Sequence, residues 1–162
     1  MTHLNRSREL HCPWVRAIAY FDSYLAGLPD SERAQGHDLR LRAPLDSIGA
    51  SSDLAIDRDV VASFTPLDDP KGLEHGISIG WVPVGAVALP SFQGSLRIVA
   101  STPKSSTLVL DGDYEPPLGA LGKLFDAAIG RRIAEATGDE LLKTIAEQIE
   151  LAWVTDEPHI SR

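Results

Sequence analysis

Gly76-Ile77-Ser78-Ile79-Gly80 spells the G-x-S-x-G pattern in which serine hydrolases place their nucleophile. That chemistry needs a strand, a sharp turn that exposes the serine, and a helix directly after it. Here Ser78 sits inside an alternating stretch, on the phase opposite Ile77, Ile79 and Trp81, and Pro83 follows where a helix should start. Ser78 therefore reads as an outward strand residue between two glycines that permit a bend or bulge. The five histidines are His3, His11, His37, His75 and His159, and no two stand at i, i+4, so no protein-ligated metal site is expected. His75, between Glu74 and Gly76, reads as a solvated side chain, with a place at a cavity mouth as the alternative. Paired carboxylates can perform acid/base work when burial splits their pKa values. The pairs Asp68-Asp69, Asp111/Asp113 and Asp139-Glu140 read instead as solvated faces, with Arg97 as a cross-strand partner for one of these aspartates. Gly119 and Gly122 could open a phosphate-binding helix start, but Pro116 and Pro117 supply no free N–H, and close helix–sheet packing explains them better.

The elements that must carry these residues follow from periodicity. Trp14, Ile18, Phe21, Tyr24/Leu25 and Leu28 recur at helical spacing, and Gly27 and Pro29 end that segment. Asp30-Ser31-Glu32-Arg33 is expected to cap a second short helix that stops at Gly36, and the residues around Arg8 to His11 to form a short first strand. From His37 the period becomes two. Leu39, Leu41, Ala43 and Leu45 point one way, then Leu54 and Ile56, then Val60, Ala62 and Phe64; the pattern continues through Tyr114. Strands this closely spaced, without helices between them, must be mostly antiparallel. The final third returns to a helical stripe through Leu118, Leu121, Phe125, Ile129 and Ile133, and then Leu141/Leu142, Ile145, Ile149 and Trp153. Thr137-Gly138-Asp139-Glu140 resembles a capping box, so a bend or a break is expected there. The expectation is a single domain over residues 1–153 with a flexible tail at 154–162. Its class is α+β: a curved antiparallel sheet wrapped around a long C-terminal helix.

Composition narrows the functions. The 162 residues carry 15 Lys and Arg against 23 Asp and Glu, a net charge of −8. With no basic block, nucleic-acid binding, which draws on neutralised phosphates, is not expected. No apolar run reaches the roughly 18 to 20 residues of a membrane span. Cys12 is the only cysteine, which rules out an intrachain disulfide, and the polar start from Met1 to Leu10 does not resemble a secretory signal; a cytoplasmic setting is expected.

The stretch Leu110-Asp111-Gly112-Asp113-Tyr114-Glu115-Pro116-Pro117-Leu118-Gly119-Ala120-Leu121-Gly122, with Phe125-Asp126 and Arg132-Ile133-Ala134-Glu135-Ala136-Thr137 after it, resembles the C-terminal signature of bacterial proteins in the START-like (SRPBCC) superfamily. That superfamily also includes plant pathogenesis-related proteins, lipid-transfer domains and polyketide cyclases. The resemblance implies a helix-grip fold and a cavity for apolar or aromatic ligands; it carries over no shared catalytic residue and implies no cofactor. On the inward phases of the strands lie Trp81, Phe92, Leu96, Leu108, Leu110 and Tyr114. Facing them on the helix lie Leu121, Phe125 and Ile129. These nine residues are the expected wall of a site for a small apolar molecule, and Gly94 and Gly112 share their face, where they either relieve bending or leave room. The alternative is a polyketide cyclase- or dehydratase-like enzyme in the same cavity. It requires a titratable group on the inward face, and Tyr114 is the one candidate on the inferred phase.

Overall fold

The computed structural model describes residues 2–32, 34–44, 55–68, 72, 74–83, 89–115 and 127–156, the side chains at 55, 56 and 127–129 excepted. In chain order the elements are β1 (Thr2–Leu10), α1 (Trp14–Ala26), β2 (His37–Pro44), β3 (Ala55–Pro66), β4 (Glu74–Pro83), β5 (Ser91–Thr102), β6 (Ser105–Glu115) and α2 (Ala127–Asp156). The strands form one antiparallel sheet in the order β1-β6-β5-β4-β3-β2. Each connection from β2 to β6 joins neighbours, as short links require. The first strand is longer than expected, because Thr2–Leu10 pairs along β6 over its whole length.

Period-two patterning sets which face is buried. Leu39, Leu41 and Ala43 of β2, Val60 and Ala62 of β3, and Ile77, Ile79 and Trp81 of β4 are buried. Phe92, Leu96 and Ile98 of β5 and Leu108, Leu110 and Tyr114 of β6 continue the same core. Across the β5–β6 register, Phe92 faces Tyr114, Gly94 faces Gly112 and Leu96 faces Leu110. The two glycines face each other because the strands approach too closely for side chains. A Cβ at Gly94 would strike the Asp111 carbonyl oxygen and come within 2.6 Å of the Gly112 Cα. The Phe92 ring lies over both positions, with its tip 2.8 Å and 2.7 Å from where the two Cβ atoms would stand. It is itself stacked on Trp81 at a centroid separation of 4.6 Å. Of the two roles the sequence allows these glycines, the geometry selects the bend, and the space above them belongs to Phe92.

α2 is a single 30-residue helix that runs through Gly138; at about 1.5 Å per residue it is roughly 45 Å long. The capping box expected at Thr137 does not form. The Thr137 hydroxyl donates to the Ile133 carbonyl one turn back, at 2.7 Å, and so stays within the helix. Gly138 instead lets α2 settle onto the sheet, where a Cβ would come within 3.3 Å of Arg6 Cγ and of Leu110 Cδ2. Ile133, Leu141, Leu142, Ile145 and Ile149 form its buried stripe. The helix continues through Val154–Asp156, three residues past the point where a tail was expected, and Tyr20 of α1 donates to Asp156 Oδ2 at 2.8 Å.

α2 touches both edge strands, β1 and β2, as well as β6 and α1, and so closes the curled sheet. Two successive acidic residues make the closure ionic. Arg6 of β1 donates to Asp139 through Nε and Nη2, both at 2.7 Å, while Arg42 of β2 reaches Glu140 at 3.6 Å. Asp139-Glu140 is thus a bridge between opposite sheet edges. Arg6 and Asp139 are 35% and 47% exposed, so solvent screens the pair. Arg6→Ala is expected to cost about 1 kcal/mol, at the upper end for exposed pairs because the fork is bidentate. Urea denaturation measures it, and an unchanged midpoint would show that the bridge adds nothing to apolar packing.

The segment between α1 and β2 is not the short helix that Asp30-Ser31-Glu32-Arg33 suggested. Its described residues form a tight excursion closed by an Asp30–His37 bridge, by Ser31 N–H donating to Gly36 O at 3.0 Å, and by Asp38 N–H donating to Pro29 O at 2.9 Å. Gly36 has φ +140° and lies against the Ala62 carbonyl, a position only glycine fills without strain. The polar side chains between Asp30 and Gly36 lack the apolar spacing that would hold a helix against the core.

Candidate functional site

The alternation that builds the core also locates an opening in it. α1 lies across one end of the sheet, anchored by Ala17, Phe21 and Leu25 on its buried face and by Trp14, whose Nε1 donates to the Ile98 carbonyl at 2.9 Å. The chain leaves α1 at Gly27 and passes Pro29 before entering β2. Between the last turn of α1, this exit and the adjacent ends of β2, β3 and β4 lies a cavity of about 720 Å³. Its apolar wall comes from Leu25 and Leu28, from Phe64 and Pro66 of β3, and from Ile77 of β4. Its polar side chains are two histidines and two aspartates: Asp22, Asp30, His37 and His75.

Each histidine is matched to one carboxylate. His75, at the start of β4, places Nε2 2.7 Å from Asp22 Oδ1, and its ring meets the buried Phe21 edge-on at 6.3 Å. Asp22 and Phe21 are neighbours on α1, so one turn of helix supplies both the carboxylate and the apolar surface that orient the imidazole. His37 stacks on Phe64, with centroids 4.7 Å apart. Its Nδ1 is buried and lies 3.3 Å from Asp30 Oδ1, close enough for an ion pair but outside hydrogen-bond geometry. A carboxylate beside one ring nitrogen favours the tautomer that carries its hydrogen there. No group of three or more potential metal ligands occurs among the described residues.

Six of the nine expected wall residues are placed. Trp81, Phe92, Leu96, Leu108, Leu110 and Tyr114 share one concave face and are each at most 4% exposed. They are contiguous in the core and do not line the cavity at α1. The Trp81 indole N–H is taken up by the Pro90 carbonyl at 3.1 Å. Leu121 and Phe125 fall outside the described residues, as do Gly119 and Gly122; Ile129 lies in α2, but its side chain is outside the described set. Ser78 pairs in register with Thr65 and Ser95 in mid-strand, so the G-x-S-x-G pattern forms no nucleophile elbow. Arg97 pairs with Glu74 at 2.8 Å rather than with Asp111 or Asp113. Those two aspartates face β1, where His3 approaches both and Asn5 donates to Asp111. The physical reason for the different partner is that β4 already begins at Glu74, which puts that carboxylate on the strand beside Arg97 rather than in a loop.

A curled antiparallel sheet closed by one long C-terminal helix is the α+β helix-grip arrangement that the sequence led one to expect. Among solved structures, TTHA0849 from Thermus thermophilus superposes with a TM-score of 0.52 at 15% identity, covering 93% of this chain and 99% of that one. A START superfamily protein from Mycobacterium smegmatis aligns at 14% identity and a TM-score of 0.45, covering 94% of this chain and 97% of the other. Zhui aromatase/cyclase from Streptomyces sp. R1128 aligns at 13% identity and a TM-score of 0.43, over 95% and 89%. At 15% identity the likeness to TTHA0849 is one of fold alone. No family model matches the chain, and no curated protein matches it in sequence. No helix among the described residues is long and apolar enough to cross a membrane.

Proposed function

We propose that this protein binds a small, largely apolar molecule in the cavity beside α1. The observation that carries the proposal is the cavity itself, about 720 Å³ with a mainly apolar wall and a few convergent polar groups. Its size falls within the 300–1,000 Å³ range usual for small-molecule sites. The neutral, polarity-sensitive dye N-phenyl-1-naphthylamine is expected to bind with a dissociation constant in the micromolar range, on the order of −8 kcal/mol. Ala26, exposed in the last turn of α1 and part of the wall, offers a way to obstruct the space without touching the core. Ala26→Trp is expected to weaken dye binding by about tenfold or more while stability changes by less than about 0.5 kcal/mol. A native protein that takes up no dye refutes the proposal, and an Ala26→Trp variant that binds normally moves the dye to another place.

One observation favours a second reading, a cyclase- or dehydratase-like enzyme. Such an enzyme needs an acid/base group at its cavity, and the Asp22–His75 pair is a candidate: the carboxylate holds one ring nitrogen and leaves the other to exchange a proton. His75 fits that role better than Tyr114, which is buried among core side chains. Cyclisation of a short β-polyketone thioester, faster than background with the native chain and at background with His75→Phe, would establish this reading. Background rates with both would exclude it for that substrate.

A further inference from the structure

The polar groups of the cavity differ in what they can offer a ligand. His75 has one ring nitrogen committed to Asp22, and in the tautomer that this carboxylate favours, Nε2 carries the hydrogen and Nδ1 a lone pair. No described protein group bonds that Nδ1. His37 is held differently: its Nδ1 is buried 3.3 Å from Asp30 Oδ1 without a hydrogen bond, and its ring stacks on Phe64. The remaining polar side chains of the wall are the carboxylates of Asp22 and Asp30, which when ionised only accept hydrogen bonds. The His75 donor is therefore spent on Asp22, and His37 Nδ1 is buried beside Asp30, away from a ligand. Backbone donors are scarce as well. Pro29 and Pro66 have no N–H, and the amides around the α1 exit are consumed, with Gly27 donating to Ser23 and Tyr24 and Leu28 to Leu25. No Lys or Arg belongs to the described wall.

A cavity whose free polar valences are all acceptors, beside two carboxylates, favours a hydrogen-bond donor and disfavours an anion. Resting on the binding reading above, we propose that the cavity recognises an uncharged ligand with a hydroxyl on an otherwise apolar ring system, and that it discriminates against the corresponding carboxylate. The His75 imidazole accepts the hydroxyl hydrogen, and Asp22 is the positioning residue that holds its tautomer.

Three probes of one skeleton test this: naphthalene, 2-naphthol and 2-naphthoate, titrated into the full chain at pH 8, where the naphthol is uncharged and the naphthoate ionised. One neutral hydrogen bond formed in a partly dry site strengthens binding by up to about tenfold. 2-Naphthol is expected to bind about tenfold more tightly than naphthalene, and 2-naphthoate more weakly than naphthalene. In His75→Phe the ratio of naphthol to naphthalene affinity should fall toward unity, whatever happens to naphthalene itself. Asp22→Ala, a change on the exposed side of α1, should lower the same ratio, and Asp22→Glu should restore part of it. The ¹⁵N shifts of the His75 ring give an independent readout, reporting hydrogen on Nε2 in the native chain and a mixture of tautomers in Asp22→Ala. If naphthalene binds but naphthol shows no advantage, or naphthoate binds best, this proposal fails while the apolar-binding reading stands. If none of the three binds, both fail.

Discussion

Gly112→Leu is expected to destabilise the fold strongly. A leucine at this position would be free to fill empty space only if the glycine opened onto empty space, and it does not. The new Cβ would run into the Gln93 carbonyl oxygen and stand 2.6 Å from the Gly94 Cα, both of them backbone, and 2.7 Å from the Phe92 ring. Clashes with flexible side chains relax by changing rotamer, but a clash with two neighbouring strands relaxes only if the strands part. The strands in question are β5 and β6, in the middle of the sheet, where Leu96 faces Leu110 and Phe92 faces Tyr114. Overpacking a close-packed core ordinarily costs about 1–3 kcal/mol. Here the cost should meet or exceed that range, a large share of the roughly 5–15 kcal/mol typical of a whole domain. Circular dichroism and urea denaturation of the purified variant measure it. A variant within about 1 kcal/mol of the native chain would mean that β5 and β6 are farther apart at the Gly94–Gly112 pair than described.

The same pair shows what a sequence can and cannot express. Alternation from His37 to Tyr114 places Trp81, Phe92, Leu96, Leu108, Leu110 and Tyr114 on one face, because in a strand the phase alone decides which side is buried. It also places Gly94 and Gly112 there. A glycine on an inward phase is compatible with a hole and with a bend, and one-dimensional order does not distinguish them. The decision depends on a ring two residues away, Phe92, folding back over both glycines. At Thr137-Gly138-Asp139-Glu140 the pattern is legible but its meaning is not. A capping box and an acidic bridge between sheet edges use the same residue types, and only the partners Arg6 and Arg42, more than ninety positions upstream, separate them.

The candidate site is the least legible part. Asp22 and His75 are 53 positions apart, and neither stands out locally: one lies on the polar side of an amphipathic helix, the other beside a glycine at a strand start. In the sequence His37 is simply the first residue of an alternating strand, and Asp30 has the form of a helix cap. Two signals are present all the same. Pro29 and Gly36 bracket a stretch that returns on itself and brings Asp30 to His37. The helical face through Phe21 and Leu25 ends at Gly27, so the chain must turn away from the sheet there and leave space beneath. The reading of His75, beside Gly76 near the start of a strand, as a residue at a cavity mouth is the one direct cue in the sequence.

Phe21→Ala is expected to damage stability and the site together. Phe21 is fully buried, and with Ala17 and Leu25 it fixes the inward face of α1. Truncating a buried phenylalanine to alanine removes its transfer free energy and leaves a void, together costing about 3–5 kcal/mol. α1 meets β5, β6 and α2, so part of the void can close by a shift of the helix, which would hold the loss nearer the lower figure. That shift acts directly on the cavity. The Phe21 ring edge supports His75 at 6.3 Å, and the next residue, Asp22, supplies its hydrogen-bond partner. A helix that settles into the void carries Asp22 with it, so the variant should also bind N-phenyl-1-naphthylamine several-fold more weakly under conditions where it is still folded. Urea melts give the first quantity and dye titration well below the melting midpoint gives the second. A loss of about 3 kcal/mol or more with unchanged dye affinity would show that α1 anchors the core without shaping the cavity. A loss below about 1 kcal/mol would remove α1 from the cooperative core.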